Sequence, residues 1–249
     1  MSEEPTTFWQ HLDIMRGGLI RSAVVVLAAT VGMFLMREPL FRFILWPLQA
    51  DFPTWHLLTR LGMMDSLPEA QLINTELARQ FIVHIEAALW VGLVIALPYL
   101  GFEVVRFVRP ALYESERRHL LPVVIAAYLL FMAGMALAYW VLFPFTYLFL
   151  ADYQVAGSVT NWISLSSYAS TMGLMCLVMG LMAEMPIVSR LLWRMGLVSR
   201  QGLHHYRRHA IVAIFVLAAV ITPTGDAFTL CLVAMPIWLL YELSAVVIR

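Results

Sequence analysis

The chain has 249 residues, 61% of them apolar and only 13% charged, with sixteen basic side chains balanced by sixteen acidic ones. An ordinary soluble domain has roughly half its residues apolar and about a quarter charged, so this composition excludes one and reads as a membrane protein. With zero formal charge and no block of like charge, nothing points to nucleic acid as a partner.

A polar and amphipathic head, residues 1–16, precedes the first apolar run, Gly17–Met36. No small-residue cleavage pattern follows that run, so it does not read as a removable signal peptide. A long loop leads to the second run, Phe81–Gly101. Within that loop Pro47, in "ILWPLQADFP", sits among Phe, Ile, Leu and Trp; this suggests an interfacial segment capping the outside of a bundle, and an ordinary irregular loop explains it as well. The third run, Leu120–Leu150, exceeds the roughly 20 residues that cross about 30 Å of hydrocarbon and predicts a tilt or a bend at Pro144. The fourth is Thr171–Trp193 and the last two are Ala210–Thr222 and Phe228–Ile248. The fifth is too short to span alone. With the turn Thr222–Asp226 it predicts a shallow hairpin, in thinned bilayer or sheltered by protein. The expectation is an all-α membrane protein with six transmembrane helices in one domain, 1–249.

Orientation follows from the arginines, which supply all sixteen basic residues. On the side of the termini lie Arg16, Arg106, Arg109, Arg117, Arg118, the five from Arg190 to Arg208, and Arg249. The opposite side has Arg37, Arg42, Arg60 and Arg79 in one long loop, and Arg21 lies within the first run. The positive-inside rule then places both termini in the cytoplasm.

Catalysis has little support. Cys176 and Cys231 fall inside apolar runs, away from any metal-ligand spacing, and the seven histidines are scattered or flanked by arginine. No catalytic triad, HExxH or glycine-rich phosphate loop is present, so neither an enzyme nor a cofactor, metal or nucleotide is expected.

Carboxylates carry the sharper hypotheses. In "FVRPALYESERRHLL", Phe107 to Leu121, a helix beginning at Pro110 would set Glu114 against Arg117 and Arg118 at i+3 and i+4. Glu116 would be left free. It reads either as part of a solvated helix start, favoured by the helix dipole, or as the receptor for an arginine-bearing peptide, because a carboxylate takes guanidinium bidentately and prefers it to lysine. Glu184, in "GLMAEMPIVSR", lies inside an apolar run, where a carboxyl group is costly unless paired, wetted or bonded to a carbonyl freed by Pro186. It is a functional candidate by its position. Glu86, with His84, and Glu242 lie nearer run ends and can snorkel.

Six segments in order resemble one family: "FWQHLDIMRGGL", "ALPYLGFEVVRFVRPALYESERR", "FMAGMALAYWVLFP", "GLMAEMPI", "YRRHAIVAIFVLAAVITPTGDAFT" and "AMPIWLLYELS". Together they resemble TatC, the large polytopic subunit of the twin-arginine protein translocase. The resemblance implies a glove-shaped bundle with short fifth and sixth helices, in the bacterial cytoplasmic (inner) membrane. It would bind the twin-arginine signal peptides of folded cargo. Glu116, Phe107 and Pro110 match the family's signal-binding loop, and His11, Leu12 and Arg16 its N-terminal motif. Glu184 matches the intramembrane glutamate, Pro47 the outer-loop proline, Tyr139, Phe143 and Pro144 the third helix, and Pro223 with Asp226 the last turn. The implied partners are TatA-like and TatB-like single-span subunits and the lipid bilayer, with a possible homo-oligomer and energy from the proton gradient.

Three departures stand out. The family reads His-Leu-x-Glu-Leu-Arg where this chain has Ile14 preceded by Asp13; one residue is about 100° of helix rotation, so Asp13 is not a simple substitute. Glu103 or Glu114 then becomes a candidate for the second arginine contact. Gly225 stands where many members have proline, and Leu230 where glutamine is common. Two other readings remain: a proton- or ion-coupled small-solute carrier titrating at Glu184, and a TatC-derived scaffold that no longer binds signals.

Overall fold

The protein is described by a computed structural model covering residues 8–60, 62, 72–108, 120–153, 162–222 and 226–248. Two compact units are formed, Met1–Leu40 with Ile85–Tyr128, and Phe41–His84 with Leu129–Arg249. Both are built almost entirely from helix, as expected for backbone that must satisfy its own hydrogen bonds in lipid.

In the first unit, helix α1 (Phe8–Leu35) runs for 28 residues. It therefore starts well before the apolar run, and residues 8–16 of the polar head are a continuation of the span. Leu19, Val24 and Leu27 on α1 are exposed, which a helix immersed in lipid permits, since lipid tails are as apolar as leucine. Helix α4 (Arg79–Val108), which follows two shorter helices in the chain, spans 30 residues with Pro98 inside it. That is about 45 Å of helix, longer than the hydrocarbon layer. The two helices meet at Gly92, where a Cβ atom would lie 2.7 Å from the backbone of Thr30. Glycine is thus what lets the backbones approach, as at close crossings in membranes.

The second unit contains most of the long loop between the first two apolar runs, whose described residues 37–60 are largely helical rather than irregular. Helix α2 (Arg37–Leu45) leads to a 3-10 turn at Trp46–Leu48 and then to α3 (Pro53–Arg60). Phe52 and Trp55 are buried, and the Trp55 indole donates to the Pro47 carbonyl at 2.8 Å. The expected capping segment is therefore a folded, aromatic-cored element, with Pro47 itself buried.

The third apolar run is a composite. Helix α5 (Leu120–Leu137) passes into a π-helical turn, Ala138–Leu142, and then into α6 (Phe143–Asp152). Pro144 explains the irregularity: it has no N–H to offer the carbonyl of Trp140 four residues back. The Thr54 hydroxyl donates to that carbonyl instead. Two tyrosines tie this long loop to the later apolar helices, Tyr139 donating to Phe43 O at 2.6 Å and Tyr168 to Ile44 O at 3.0 Å.

Helices α7 (Leu165–Ala183) and α8 (Met185–Arg194) are separated by a break at Glu184. Between α5 and α7 the crossing is very close, because a Cβ on Gly134 would lie 2.5 Å from Met179 O and one on Gly180 would lie 2.8 Å from the Phe131 ring. After α8 the chain reverses at Gly196, whose φ of 74° suits glycine alone. There Leu197 N–H closes on Leu192 O at 3.0 Å and Gly196 N–H on Trp193 O at 2.9 Å, the hydrogen-bond pattern of a Schellman cap. A short α9 (Arg200–His205) precedes α10 (Arg207–Ile221) and α11 (Ala227–Val247). At 15 residues α10 is shorter than the four apolar segments before it, whereas α11 at 21 residues equals the first of them, Met15–Leu35. Among the described residues, five helices are long and apolar enough to cross a membrane, and α10 is below that length. The one β feature described is a two-residue parallel pairing of β1 (Leu72–Ile73) with β2 (Ile163–Ser164), which the helical reading of the sequence did not include.

Candidate functional site

The described part of the candidate site is assembled on α1 and α4. Glu103 lies on α4, five residues before its last residue, Val108, and is buried. Its Oε1 accepts from Arg21 Nε at 2.8 Å and from the Tyr99 hydroxyl at 2.8 Å, and its Oε2 accepts from Arg21 Nη2 at 2.9 Å. Arg21 is on α1, and Tyr99 is one helical turn before Glu103. A guanidinium inside an apolar run is costly unless paired, and this bidentate arrangement is the strong form of that pairing. Glycines flank it: a Cβ at Gly17 would lie 3.3 Å from Arg21 Nη1, and one at Gly18 would lie 3.4 Å from Glu103 Oε2.

Around this pair the expected signal-binding residues are distributed unevenly. Asp13 and Arg16 are exposed on α1. His11 and Leu12 belong to the first turns of α1, and their side chains lie outside the described residues, as do Glu114, Glu116 and Pro110 entirely. Phe107 is half-buried near the end of α4. The sequence offered Glu103 as a carboxylate for an external arginine; the structure fills it with an internal one. Arg21 and Tyr99 were not anticipated as partners. The signal for the first was available, since an arginine inside one apolar run and a glutamate near the end of another are candidates to pair.

In the second unit Glu184 is half-buried, with no hydrogen-bonding or ionic side-chain partner among the described residues. The carbonyl bond suggested for it beside Pro186 is not formed there. Its backbone does the local work: Glu184 N–H donates to Leu181 O at 3.1 Å, and its carbonyl accepts from Ile187 and Val188 at 3.0 Å. Glu242, expected to snorkel, is instead paired with Arg207 at 2.6 Å, and that guanidinium lies 6.0 Å from the Trp238 ring. Tyr139, Phe143 and Pro144 are buried in the composite third helix and its aromatic surroundings. Tyr139 stacks on Phe43 at 4.5 Å and meets Phe52 edge-on at 5.7 Å. Asp226 caps α11, its Oδ1 accepting from Thr229 N–H at 2.7 Å; Pro223 lies outside the described residues. Among the described residues no cluster of three or more His, Cys, Asp or Glu could hold a metal ion.

Residues 10–236 match the family model described as Sec-independent protein translocase protein (TatC). The chain belongs to the TatC family. The Sec-independent protein translocase protein TatC of Deinococcus radiodurans is 35% identical over 241 residues, an alignment covering 97% of this chain and 85% of that protein. The TatC protein of Aquifex aeolicus is 30% identical over 236 residues, covering 94% and 91%. A crystal structure of a twin arginine translocase receptor, TatC, superposes with a TM-score of 0.78 at 31% identity, over 95% of this chain and 97% of that one. A second crystal structure, in DDM, gives 0.79 at 29% identity over 96% and 99%. As a TatC protein the chain is a membrane-embedded component of a protein translocase and not an enzyme.

Proposed function

We propose that this chain is the receptor subunit of a twin-arginine translocase. It binds the signal peptides of folded proteins at the cytoplasmic face of the inner membrane and organises their export, driven by the proton gradient. The observation that carries the reading is the likeness, over nearly the whole of both chains, to the solved twin arginine translocase receptor.

In this reading the chain acts as a single domain with both termini in the cytoplasm. Glu116 captures a signal arginine, helped by another acid, and Phe107 and Pro110 shape the seat for the apolar part of the signal. His11, Leu12, Asp13 and Arg16 line the approach on α1. Glu184 keeps polar character within the bundle or meets a partner subunit, while Pro223 and Asp226 present the last hairpin to TatA-like and TatB-like single-span proteins. Six apolar segments cannot enclose a pore for a folded protein, so those subunits, and copies of this chain, complete the machine.

The test is binding of a signal peptide to the protein in nanodiscs with its partner subunits, in Arg-Arg and Lys-Lys forms. Arginine-selective binding that Glu116→Gln abolishes is the expected result. Equal binding of both forms to wild type, or retention by Glu116→Gln, would remove the reading and turn attention to solute-coupled proton flux at Glu184.

A further inference from the structure

Between the end of α6 and the start of α11 lies a cavity of about 450 Å³, lined by Phe145, Leu148, Phe149, Asp152, Tyr153 and Phe228. We propose that it holds the amine headgroup of a zwitterionic phospholipid, with the ammonium at Asp152 and the start of an acyl chain along the rings beside it. The inference does not depend on the receptor reading above.

The lining is graded like an amphiphile. Phe145, Leu148, Phe149 and Asp152 are spaced i, i+3, i+4 and i+7, so one stripe of α6 supplies most of the wall. Along that stripe three half-buried apolar residues are followed by an exposed carboxylate on the last residue of the helix. The third apolar run ends at Leu150, so the change from ring to charge falls where hydrocarbon gives way to headgroups. From α11, Phe228 stacks on Phe149 with ring centroids 4.5 Å apart, and Tyr153 lies 6.0 Å from Phe149 on the other helix. Phe228 and Tyr153 keep 43% and 61% of their surface exposed, so ring surface is open to a ligand.

Charge decides which amphiphile fits. The last carbonyls of a helix carry the negative end of its dipole, where a cation is favoured and a carboxylate is not. Asp152 therefore serves its own helix badly, and the chain supplies no cation to offset it. It forms no ion pair and no side-chain hydrogen bond among the described residues. Lysine is absent from the chain, and residues 143–183 and 210–241 contain neither arginine nor histidine. Arg79, which reaches the start of α7, is engaged by Ser166 Oγ at 2.6 Å. Aromatic faces attract an ammonium ion through the ring quadrupole, so rings, carboxylate and helix end all favour the same positive ligand. A phospholipid bearing an amine satisfies the charge and the apolar stripe together. An anionic headgroup without an amine meets repulsion from Asp152.

The experiment is native mass spectrometry of the full chain in detergent, titrated with phosphatidylethanolamine or phosphatidylglycerol of identical acyl chains. Wild type is expected to bind the first more tightly, by roughly tenfold. Asp152→Asn is expected to lose about fivefold of that affinity and to bind phosphatidylglycerol no more weakly than wild type. Because this substitution takes a carboxylate off the negative end of a helix, thermal stability should hold or rise. Phe228→Leu, which keeps apolar bulk and removes the ring, is expected to weaken phosphatidylethanolamine binding about two- to fivefold. Equal binding of the two lipids by wild type would overturn the proposal, as would an Asp152→Asn variant that keeps the wild-type preference. Phosphoethanolamine, the headgroup without tails, is expected to leave the lipid bound; displacement by it at equal concentration would assign the site to a soluble amine instead. Added single-span subunits are likewise expected to leave the lipid bound, and its release on their addition would identify a partner protein as the occupant.

Discussion

The hydroxyl of Thr54, on the first turn of α3, donates its hydrogen bond to the carbonyl of Trp140, the carbonyl facing the missing N–H of Pro144. One residue of the loop between the first two apolar runs thus compensates for the N–H that proline lacks in a later apolar helix. Removing the donor leaves a carbonyl in an apolar setting, which costs about 1–3 kcal/mol when the group is buried. Thr54→Val, close in shape, should lower the thermal unfolding midpoint in detergent, and Thr54→Ser should restore it. Equal midpoints for the valine variant and wild type would mean that the bond carries no stability.

The glycines separate into those that permit contact and those that do not. A Cβ on Gly134 would lie 2.5 Å from Met179 O, whereas one on Gly32 would meet nothing within 4 Å. Gly134→Ala should push α5 and α7 apart at a cost of about 1–3 kcal/mol, the range for overpacking. Gly32→Ala should be neutral or slightly stabilising, since alanine is the better helix former by about 1 kcal/mol. Unfolding midpoints of the two variants, measured side by side, should fall on opposite sides of wild type or with Gly32→Ala unchanged.

Asp226 holds the start of α11 through its bond to Thr229 N–H at 2.7 Å. Replacing an N-cap acceptor by alanine costs about 0.5–2 kcal/mol, so Asp226→Ala should destabilise and Asp226→Asn should lose little. If partner docking also uses Asp226, the asparagine variant will keep stability and lose co-purification of the single-span subunits; if capping is its whole role, the asparagine variant will retain both.

Glu184 yields a prediction of the opposite kind. The helix break around it is made by backbone hydrogen bonds from Leu181 to Val188, with no side-chain partner described for the carboxyl group. Glu184→Gln should therefore fold as well as wild type, within about 0.5 kcal/mol. Any loss of export in that variant would then report function. A large drop in stability would reveal a structural partner instead.

Legibility in the sequence followed the range of the interaction. The apolar segments were readable because crossing lipid is a local requirement, one residue's hydropathy added to the next. Their ends were less so: α1 begins at Phe8 and α4 continues to Val108, since nothing breaks a helix where apolarity fades. Pro47 and its aromatic neighbours hinted at an ordered segment in the long loop, and an irregular loop explained them as well. The helices of that loop, and the seating of Phe52 and Trp55 in a core, depend on residues far along the chain.

The sequence by itself determined that this is a helical membrane protein with a short helix before its last one and an irregularity near Pro144, because hydropathy, chain length and proline chemistry act within a few residues; the TatC type was legible only as a resemblance of six quoted segments. Only the tertiary structure decided that Arg21 occupies Glu103, that Tyr168 reaches Ile44 across 124 positions and that Gly134 touches Met179. Each of these joins residues whose separation in sequence says nothing of their distance in space. Charge, hydroxyl and missing side chain announce a need for a partner, and packing alone assigns it.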